Sequence, residues 1–507
     1  MAEKTGKTPG RRQRTIDVSI EGRAIPMHGV APRALRIDER IGAPFAIDAT
    51  FVSYEALDPT AVVGSPIRVA IRADGHDERR MHGFVETMRA RVDLDVEHGI
   101  YEARIVPAIS LLGMTRTQEV YIDTSLPDLI RLKLTALGMK EGRDFALRLS
   151  RDYPKREFIV QMDESDLALV LRLCEHLGVS LFFEHGRGRS VAVFTDGAPG
   201  FTRRDAPIHF DAHAEHIGVR SLVQQARAIP ALVAVSDYNY TLPELDLLSI
   251  VNLDGGLGGG HVEYGATHMT PDEGALLARV RAEEVIATQE VFEGVANTHD
   301  LTSGHVVRFE GHSRLADAPF LVTSVVHRVD VTGHDAHAGT RLVVQPDAPA
   351  GDSTAAPLMY SCRFEAISAE RPFRPARTTR RPRITGLLSG IVEAPPGVRS
   401  EDGQAFIDDR GRYLVRMLFD SARPGERKAS LRVRMLQAHA GPNYGIHFPL
   451  RPGAEVMLGF EHGDPDRPVI VGSAPNALTP TPVAESRATL HRIRTWSGVQ
   501  VEIDDGG

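Results

Sequence analysis

Alternation of apolar and polar residues is the commonest pattern along the chain. In "TIDVSIEG" (15–22) and "FAIDATFVSYEAL" (45–57), apolar residues recur at about every second position. Successive side chains of a β-strand point to opposite faces, so a period of two is typical of strands with one buried face. Many short strands with few helical segments between them predict a mainly β protein made of barrels or sandwiches.

One segment with helical spacing is "DESDLALVLRLCEHLG" (163–178). Asp163 is the expected N-cap, and Gly178 is a typical C-terminal stop. The residues expected on its buried face are Leu167, Val170, Leu171, Cys174 and Leu177. Burial of Cys174 would raise the pKa of its thiol, so we expect a core residue and not a reactive nucleophile.

A second helix is predicted from "TPDEGALLARVRAEEV" (270–285), which would link two strand-rich regions. Thr270 is suited to the N-cap and Pro271 to the first helical position. Glu273, three residues after Thr270, would complete a capping box, because its carboxylate can accept a hydrogen bond from the backbone at the helix start.

Composition places the chain among ordinary globular proteins. Of 507 residues, 42% are hydrophobic and 25% are charged, which suffices for packed cores. The length suggests roughly three or four domains. The formal net charge of -8 argues against a dedicated nucleic-acid binder. Cys174 and Cys362 make neither a disulfide framework nor a zinc ligand set, which favours a reducing compartment. The sequence contains no recognisable signal peptide or membrane-spanning run.

A change of composition marks the last part of the chain. "RPFRPARTTRRPR" (371–383) is rich in proline and arginine and has little to bury, so we interpret it as a solvated, stiff linker. A compact all-β module is predicted over residues 384–476, where "RYLVRMLF" and "EVMLGF" alternate. The residues expected in its core are Tyr413, Val415, Met417, Phe419, Val456, Leu458 and Phe460.

The segment "FEHGDPDRPVIVG" (460–472) predicts a stiff hairpin inside this module. Pro465 presets the backbone for a tight turn, and the flanking aspartates can bond their own backbone. Pro468 can begin a strand, because a ladder donor is not needed at that position.

Several of these motifs, in this order, resemble one protein family. "GDPDRPVIVG", "FPLRPGAEVMLGF", "DDRGRYLVRMLFD" and "FIVQMDESDLALVLRLCEHLGVSLFFEH" are similar to the VgrG spike proteins of type VI secretion and to baseplate hubs of contractile phage tails. The join "YSCRFEAISAERPFRPARTTRRPRITG" resembles the same family. Each motif is weak or moderate alone, but together they span nearly the whole chain.

The resemblance implies a mainly β fold with a few helices (α+β). Phage hub-like tandem β-barrel domains would be followed by an OB-fold and the start of a triple-stranded β-helix needle. The expected domains are a basic flexible tail (1–14), a hub-like region with two β-barrels and inserted helices (15–370), the linker (371–383), the OB-fold collar (384–480), and the neck with the needle start (481–507).

The implied function is that of a non-enzymatic, homotrimeric spike at the tip of a contractile injection machine. It would cap a hexameric Hcp-like tube, contact baseplate proteins, and carry a PAAR-type tip protein and effectors through the needle beyond residue 507. It would assemble in the bacterial cytoplasm and cross membranes only by forced puncture, since each charged residue costs about 2.5–3.5 kcal/mol at a bilayer centre. No cofactor, metal or nucleic acid is expected.

The resemblance also marks structural residues. The family motif corresponds here to Gly463, Asp464, Pro465, Asp466, Arg467 and Pro468, with Gly453 and Glu455 upstream. The turn would belong to a collar that fixes where the needle leaves the hub. The other interpretation is that it closes one hairpin of any OB-fold.

The last residues carry a second candidate surface. Val499, Val501 and Ile503 alternate with polar residues in "GVQVEIDDGG". We expect this strand to have no partner left in its own chain, and to contact two other copies in a closed three-fold assembly.

The sequence departs from the family pattern in three places. Leu450-Arg451-Pro452-Gly453 stands where the family often has Pro-Arg before the glycine, and "VEYGATHMTPDEG" replaces a Tyr-Pro-Gly segment. The sequence ends at "DDGG", where a needle should begin, so we expect a truncated chain.

An enzyme and a nucleic-acid-binding module are the competing hypotheses. Some phage hubs carry a lysin, but HExxH, GxSxG and Walker A patterns are missing, and "GGLGGGH" (255–261) lacks the lysine of a phosphate loop. An OB-fold could bind single strands on aromatic side chains, yet the alternation places Tyr413, Phe419 and Phe460 inward. Three alternatives within the family stay open. The chain could belong to a phage-tail hub, to an extracellular injection particle, or to a hub with a hydrolase beyond residue 507.

Two histidine sets could offer metal ligands, although their flanks favour polar surface loops. The members of the first set are His209, His213 and His216 with Asp211, and those of the second are His327, His334 and His337.

Overall fold

The computed structural model describes most of the chain, and its residues fall into two compact units. The described residues are 14–25, 30–73, 78–91, 99–186, 188–212, 217–312, 315, 318–330, 342–344, 359–395, 398, 404–421 and 430–506. The first unit comprises Met1–Gly113, Ile130–Asp152 and Val170–Thr379, and the second comprises Met114–Leu129, Tyr153–Leu169 and Arg380–Gly507. Two segments of the predicted hub-like region therefore cluster with the C-terminal module. The predicted tail lies outside the described residues, except for Arg14.

Strands dominate the described residues, as predicted. Up to residue 177 the elements are β1 (Arg14–Gly22), β2 (Val30–Arg40), β3 (Ala46–Ser53), α1 (Pro59–Val62), β4 (Pro66–Ala73), β5 (Arg79–Ala90), β6 (Gly99–Val106), β7 (Arg116–Thr124), α2 (Leu126–Ala136), β8 (Phe145–Arg148), β9 (Arg156–Ser165) and α3 (Asp166–Leu177). From there to residue 296 they are β10 (Ser180–His185), β11 (Ser190–Thr195), β12 (Thr202–Arg203), β13 (Ile208–His209), β14 (Val219–Ala226), β15 (Leu232–Ser236), β16 (Ser249–Asn252), β17 (Gly260–Tyr264), α4 (Pro271–Ile286) and β18 (Glu290–Ala296).

The remaining strands begin at residue 305. They are β19 (His305–Glu310), β20 (Pro319–Asp330), β21 (Leu342–Val344), β22 (Met359–Ser368), β23 (Leu388–Val392), β24 (Tyr413–Met417), β25 (Ser430–Val433), β26 (Ala440–Gly441), β27 (Tyr444–Gly445), β28 (Glu455–Phe460), β29 (Pro468–Ala474), β30 (Leu490–Arg494) and β31 (Gln500–Asp504).

The first unit is organised around a 14-stranded sheet. Eleven of its strands follow the order β14-β18-β22-β20-β2-β3-β6-β5-β4-β1-β21, while β19 pairs with β20, and β12 and β13 pair with β19. β20 pairs with β2 on one side and β22 on the other, so hydrogen bonding is continuous between strands from distant parts of the chain. Alternation holds in β3, where Ile47 and Phe51 are fully buried and Asp48 is exposed. The predicted mainly β class is confirmed.

Helix α3 starts later than predicted. Asp163 has a φ of +51° and is not the N-cap, whereas the Ser165 hydroxyl accepts a hydrogen bond from the Ala168 amide at 3.2 Å. Gly178 ends the helix with a φ of +70°, as expected. The most buried face consists of Leu169, Val170, Leu173 and Cys174, while Leu167, Leu171 and Leu177 are only partly buried. Burial raises the pKa of the Cys174 thiol, in agreement with a core role.

Helix α4 begins as predicted. The Thr270 hydroxyl accepts a hydrogen bond from the Glu273 amide at 3.3 Å, and Pro271 is the first helical residue. The Glu273 carboxylate accepts from the amide of Met269 at 2.8 Å, one residue before the N-cap. Within the described part of the chain, no helix is long and apolar enough to cross a membrane.

Residues 371–379 of the predicted solvated linker are instead packed within the first unit. Arg374 donates to the Glu283 carboxylate at 2.5 Å and to the Gly178 carbonyl at 2.9 Å. The Thr379 hydroxyl donates to Glu175 at 2.7 Å. The interpretation was wrong because arginine and threonine side chains bind buried acceptors even where a segment has little apolar surface.

The second unit contains a five-stranded sheet in the order β25-β24-β23-β28-β29. Two smaller pairs, β7-β9 and β30-β31, belong to the same unit. Tyr413, Val415, Met417, Val456 and Leu458 are fully buried in its core, as predicted, and Phe419 and Phe460 pack against them.

Candidate functional site

The GDPDRP turn connects β28 to β29 and is closed by its own backbone. The Arg467 amide donates to the Asp464 carbonyl at 2.9 Å, and the Glu461 amide donates to the Arg467 carbonyl at 3.0 Å. His462 and Gly463 both have positive φ, at 54° and 71°. The glycine adopts this left-handed conformation without the steric cost that another residue would have. The turn is therefore a defined structure within a single chain.

Asp464 binds the segment that enters the five-stranded sheet. The residue is 7% exposed, and its carboxylate lies 2.6 Å from the Arg381 guanidinium. Gly463 contributes a second contact, since its carbonyl accepts from the Ile384 amide at 2.9 Å. Burial and the nearby charge of Asp466 raise the pKa of Asp464, although Arg381 acts in the opposite direction. The turn thus anchors residues 381–384.

Asp466 binds a different part of the chain. Its Oδ1 accepts a hydrogen bond from the Val160 amide in β9 at 2.7 Å. Its side chain is 4% exposed, and its Oδ2 accepts no hydrogen bond from the described residues; the Arg381 guanidinium lies 4.0 Å away. A carboxylate that accepts a buried backbone N–H satisfies a donor that is costly to leave unpaired. Asp466 therefore fastens β9 at the turn.

Apolar packing joins β9 to the same core. Phe158 and Val160 belong to one buried cluster with the residues of the five-stranded sheet. The other fully buried members are Val392, Tyr413, Val415, Met417, Leu431, Val433, Val456, Leu458 and Ile470. Sequence reasoning missed this contact, because β9 precedes the module by more than 200 residues. The sequence does carry one indication of a buried face, because the apolar residues Phe158 and Val160 are two positions apart and would lie on the same side of a strand.

Gly453 and Glu455 lie at the opposite end of the β28-β29 pair from the turn. The register pairs Glu455 with Ala474, and Phe460 with Pro468 beside the turn. Gly453 has a φ of +91°, and its amide donates to the Val392 carbonyl at 2.8 Å. The Glu455 carboxylate accepts from the Asn476 side chain at 3.0 Å. The structure therefore separates the predicted motif into two turns at the two ends of β28.

The predicted contact strand is the second strand of a C-terminal hairpin. β31 pairs with β30 in its own chain, so the expectation that it lacks such a partner was wrong. Residues 495–499 form a tight turn between them, in which the Thr495 amide donates to the Val499 carbonyl at 2.8 Å. The hairpin is a feature of the single chain.

One face of this hairpin is apolar and exposed. Val499, Val501 and Ile503 are 67%, 57% and 62% exposed. Val501 pairs directly with Ile493, which is 50% exposed, and directly paired residues share a face. These four residues are called the apolar row below. The other face is polar, where Arg492 binds Glu502 at 2.7 Å.

The histidine sets do not form a metal centre in the part of the chain that the structure describes, where no group of three or more metal-ligating side chains occurs. His213, His216, His334 and His337 lie outside the described residues. His327 is buried in β20 and not in a surface loop, because its ring is bound by Tyr360 and the Leu301 carbonyl.

Two further segments bear on nucleic-acid and phosphate binding. Among the aromatic residues of the OB-fold, Tyr413 is buried as predicted, while Tyr444 and Phe448 are 60% and 55% exposed. The glycine-rich segment 255–261 lies in the connection from β16 to β17 and includes the first two residues of β17. Gly255, Gly258 and Gly259 have positive φ, which is typical of a loop.

Family models match most of the described fold. The family described as phage tail baseplate hub (GPD) matches residues 38–332, which is more than half of the chain. The family described as type VI secretion system/phage-baseplate injector OB domain matches residues 405–474. The second match confirms the predicted OB-fold in the region of the five-stranded sheet.

Curated relatives agree with the resemblance. The chain is 27% identical over 459 residues to the type VI secretion system spike protein VgrG4b of Pseudomonas aeruginosa, covering 88% of this chain and 54% of that protein. It is 25% identical over 443 residues to the actin cross-linking toxin VgrG1 of Vibrio cholerae, covering 84% of this chain and 37% of that protein. The chain thus spans about a third to a half of the length of these two relatives.

Solved structures share the fold. The Escherichia coli c3393 protein, described as a component of the type VI secretion system, superposes with a TM-score of 0.63 at 22% identity, covering 90% of this chain and all of that one. A chain of the Francisella PdpA-VgrG complex gives a TM-score of 0.62 at 9% identity, covering 97% of this chain and 83% of that one. Given the length and position of the hub match, this chain belongs to the phage tail baseplate hub (GPD) family.

Proposed function

We propose that this chain is the hub and spike subunit of a contractile injection machine of the type VI secretion kind. The observation that carries the proposal is the exposed apolar row at the C-terminal hairpin, in a chain of the baseplate hub family. Apolar side chains in contiguous exposed patches mark contact surfaces. A hub built from several copies would cover this row.

The apolar row is the proposed contact between three copies. Val499, Val501 and Ile503 would meet their counterparts around a three-fold axis, and Ile493 would extend the contact. Full burial of each such side chain contributes about 1.5–3 kcal/mol, so three copies together would gain a substantial stabilisation. A cyclic arrangement closes on itself and leaves no strand edge open for further growth.

The GDPDRP turn is the proposed collar element. Asp464 and Asp466 fix Arg381 and the Val160 amide at one point, so a force applied to β9 would reach the five-stranded sheet through short, buried contacts. The collar would in turn set where the needle begins. The competing hypothesis, that the turn only closes a hairpin, predicts no effect of Asp466 on β9.

The proposed partners follow from a trimeric hub. Three chains with two barrel-like halves each would present six similar surfaces to a hexameric Hcp-like tube, and baseplate proteins would surround it. A PAAR-type tip protein and effectors would be carried through the needle. The hub would assemble in the bacterial cytoplasm and be injected by contraction.

The proposed role is mechanical and not enzymatic. One relative is named an actin cross-linking toxin, but this chain covers 37% of that protein. A hub of a phage tail or of an extracellular injection particle is the second candidate, favoured by the phage baseplate description of the matching family.

Light scattering behind size exclusion tests the proposal. We expect a mass near three times the 55.4 kDa chain. A stable mass of one chain at micromolar concentration would contradict the proposal that this hairpin assembles a trimer. A mass of two chains would exclude a three-fold hub as well.

A further inference from the structure

Residues 297–304 form a buried loop inside the first unit. They connect β18 to β19 without regular secondary structure. Thr298, His299, Leu301 and Ser303 are nevertheless at most 2% exposed. Backbone groups in such a loop cannot bond to water and need partners elsewhere in the protein. The partners in this case are side chains of buried, ionisable residues.

Arg79 binds the loop from β5. Its Nη1 donates to the carbonyls of His299 and Leu301, at 3.0 and 2.7 Å, and to the Thr302 hydroxyl at 2.8 Å. Its Nη2 donates to the carboxylate of Glu39, which is 2% exposed. A buried guanidinium of this kind needs its anionic partner, because an uncompensated buried charge is strongly destabilising.

His327 and Tyr360 bind the same loop from β20 and β22. The Nε2 of His327 lies 3.1 Å from the Leu301 carbonyl, and its Nδ1 lies 2.7 Å from the Tyr360 hydroxyl oxygen. The Tyr360 hydroxyl donates to the Thr298 carbonyl at 3.0 Å. The phenol therefore binds the Thr298 carbonyl, and the imidazole binds the Leu301 carbonyl together with Arg79.

A neutral His327 leaves this network one hydrogen short. The carbonyl of Leu301 can only accept, so the imidazole hydrogen must be on Nε2. When Tyr360 donates to Thr298, no hydrogen is left for the contact between Nδ1 and the phenol oxygen. Protonation would supply it, but it would place a second positive charge in the buried site beside Arg79. With a neutral His327, the loop carbonyls of Thr298 and Leu301 keep their donors, and only the contact between Nδ1 and the phenol oxygen lacks a hydrogen.

Titratable groups from several elements lie around His327 and its buried neighbours. They are Glu39 (β2), Arg79 (β5), His185 (β10), His299 and Asp300 (the loop), His305 (β19), and Tyr360 and Cys362 (β22). Burial and Arg79 lower the pKa of His327 to about 3, and burial and His185 lower the pKa of His305 to about 4. Burial alone would raise the pKa of Glu39, but Arg79 and His185 hold it at about 2.

The lowered pKa of His327, whose ring binds the loop directly, favours the closed loop at neutral pH. A histidine with a lowered pKa binds a proton more readily when released into water, so its contribution to stability is present above its ordinary pKa of 6.5 and is lost as the pH falls towards the lowered value. Glu39 acts in the same direction at still lower pH, because its pKa is below the ordinary 4.5.

We propose that residues 297–304 form an acid-released clasp, which His327, Tyr360 and Arg79 hold in the core at neutral pH and which opens when acid protonates the released imidazole. Opening frees the connection between β18 and β19. It also removes the cover from the middle of β20 and β22, where His327 pairs with Cys362 in the strand register.

The two native thiols report such an opening without any substitution. Cys362 is fully buried beside the clasp, and Cys174 is 2% exposed in α3. A dipyridyl disulfide reacts with thiols in acid, and peptide mass spectrometry separates the two sites. Relative to a free thiol at the same pH, we expect labelling of Cys362 to accelerate about tenfold per pH unit below about pH 6.5, as one linked proton requires.

Variants separate the clasp from general acid unfolding. In the full-length His327→Gln chain, labelling of Cys362 should be linked to about one proton fewer than in the wild type. The acceleration for each pH unit should therefore be about tenfold smaller than in the wild type. The matched control is His268→Gln, since His268 is equally buried but binds the Leu247 carbonyl. It should keep the wild-type slope.

Three results would overturn the proposal. Equal acceleration at Cys174 and Cys362 would mean unfolding of the whole unit. Continued protection of Cys362 down to about pH 3, where the lowered pKa of His327 lies, would mean that the loop stays closed. An unchanged slope in His327→Gln would mean that another group carries the proton.

Discussion

The GDPDRP turn and the C-terminal hairpin belong to the same unit but differ in what they leave exposed. The turn buries two carboxylates and gives each one a partner, with Asp464 on Arg381 and Asp466 on the Val160 amide. The hairpin exposes more than half of Val499, Val501 and Ile503. The polar groups of the turn are bound within a single chain, whereas the apolar side chains of the hairpin are removed from water only when another surface covers them.

This difference separates stability from assembly. Substitutions at the turn and its core should change the free energy of unfolding of the second unit, whether or not copies associate. Substitutions in the apolar row should leave that quantity almost unchanged and alter association. Because the chain forms two units, hydrogen exchange of amides in β24 and β28 is a better readout than one global melting curve.

The largest effect is expected for Phe158→Ala. Phe158 is 7% exposed in the shared core, and truncation of a buried phenylalanine costs about 3–5 kcal/mol. Amides in β24 and β28 should lose protection by that amount, although residue 158 lies far from them in sequence. Protection that is reduced only in β7 and β9 would show that these strands are not part of the same cooperative core.

Asp466→Ala should cost about 1–3 kcal/mol, because the buried Val160 amide loses its acceptor. The readout is hydrogen exchange at the Val160 amide itself. Asp466→Asn is the matched control, since an amide oxygen can still accept at the Oδ1 position. If Asp466→Ala leaves exchange at Val160 unchanged, the turn does no more than close its hairpin.

A smaller, pH-dependent effect is expected at Asp464. Its folded pKa is raised above the ordinary 3.8, so the folded state binds the proton more tightly, and the associated stability is present at low pH and lost as the pH rises through the folded value. Denaturant unfolding of wild type and Asp464→Asn should therefore differ in slope, with the wild type gaining relative stability as the pH falls towards 3.8. Parallel pH profiles would contradict the assigned direction.

The smallest effect on stability is expected for Val501→Ser. The side chain is exposed, so the change in the free energy of unfolding of the isolated chain should stay within about 0.5 kcal/mol. Chemical denaturation at low protein concentration checks this value. A loss comparable to that of Phe158→Ala would mean that the row packs inside the single chain.

The sequence alone predicted the features that depend on local pattern. Alternation placed Tyr413, Val415 and Met417 in a core, and Thr270 and Gly178 mark helix ends where their chemistry predicts them. The OB-fold and the hub family were recognised from short motifs in a characteristic order.

Two of the misses, at Arg374 and Asp466, concern contacts between distant segments, whereas the error at β31 is local. Arg374 was interpreted as solvated, yet it binds Glu283 about 90 residues away. β31 was expected to lack a partner, but a tight turn at 495–499 pairs it with β30. The acceptor role of Asp466 towards Val160 has no local signature either, since nothing near residue 466 specifies which strand approaches it.

The most direct test of the central claim compares solution masses of the wild-type chain and two variants by light scattering. Val501→Glu places a charge in the apolar row, and Leu132→Glu places one at a similarly exposed position in α2, where the side chain is 52% exposed. The account predicts about three chains for wild type and Leu132→Glu, and a single 55.4 kDa chain for Val501→Glu. A trimer that survives Val501→Glu would contradict the claim that copies meet at the apolar row.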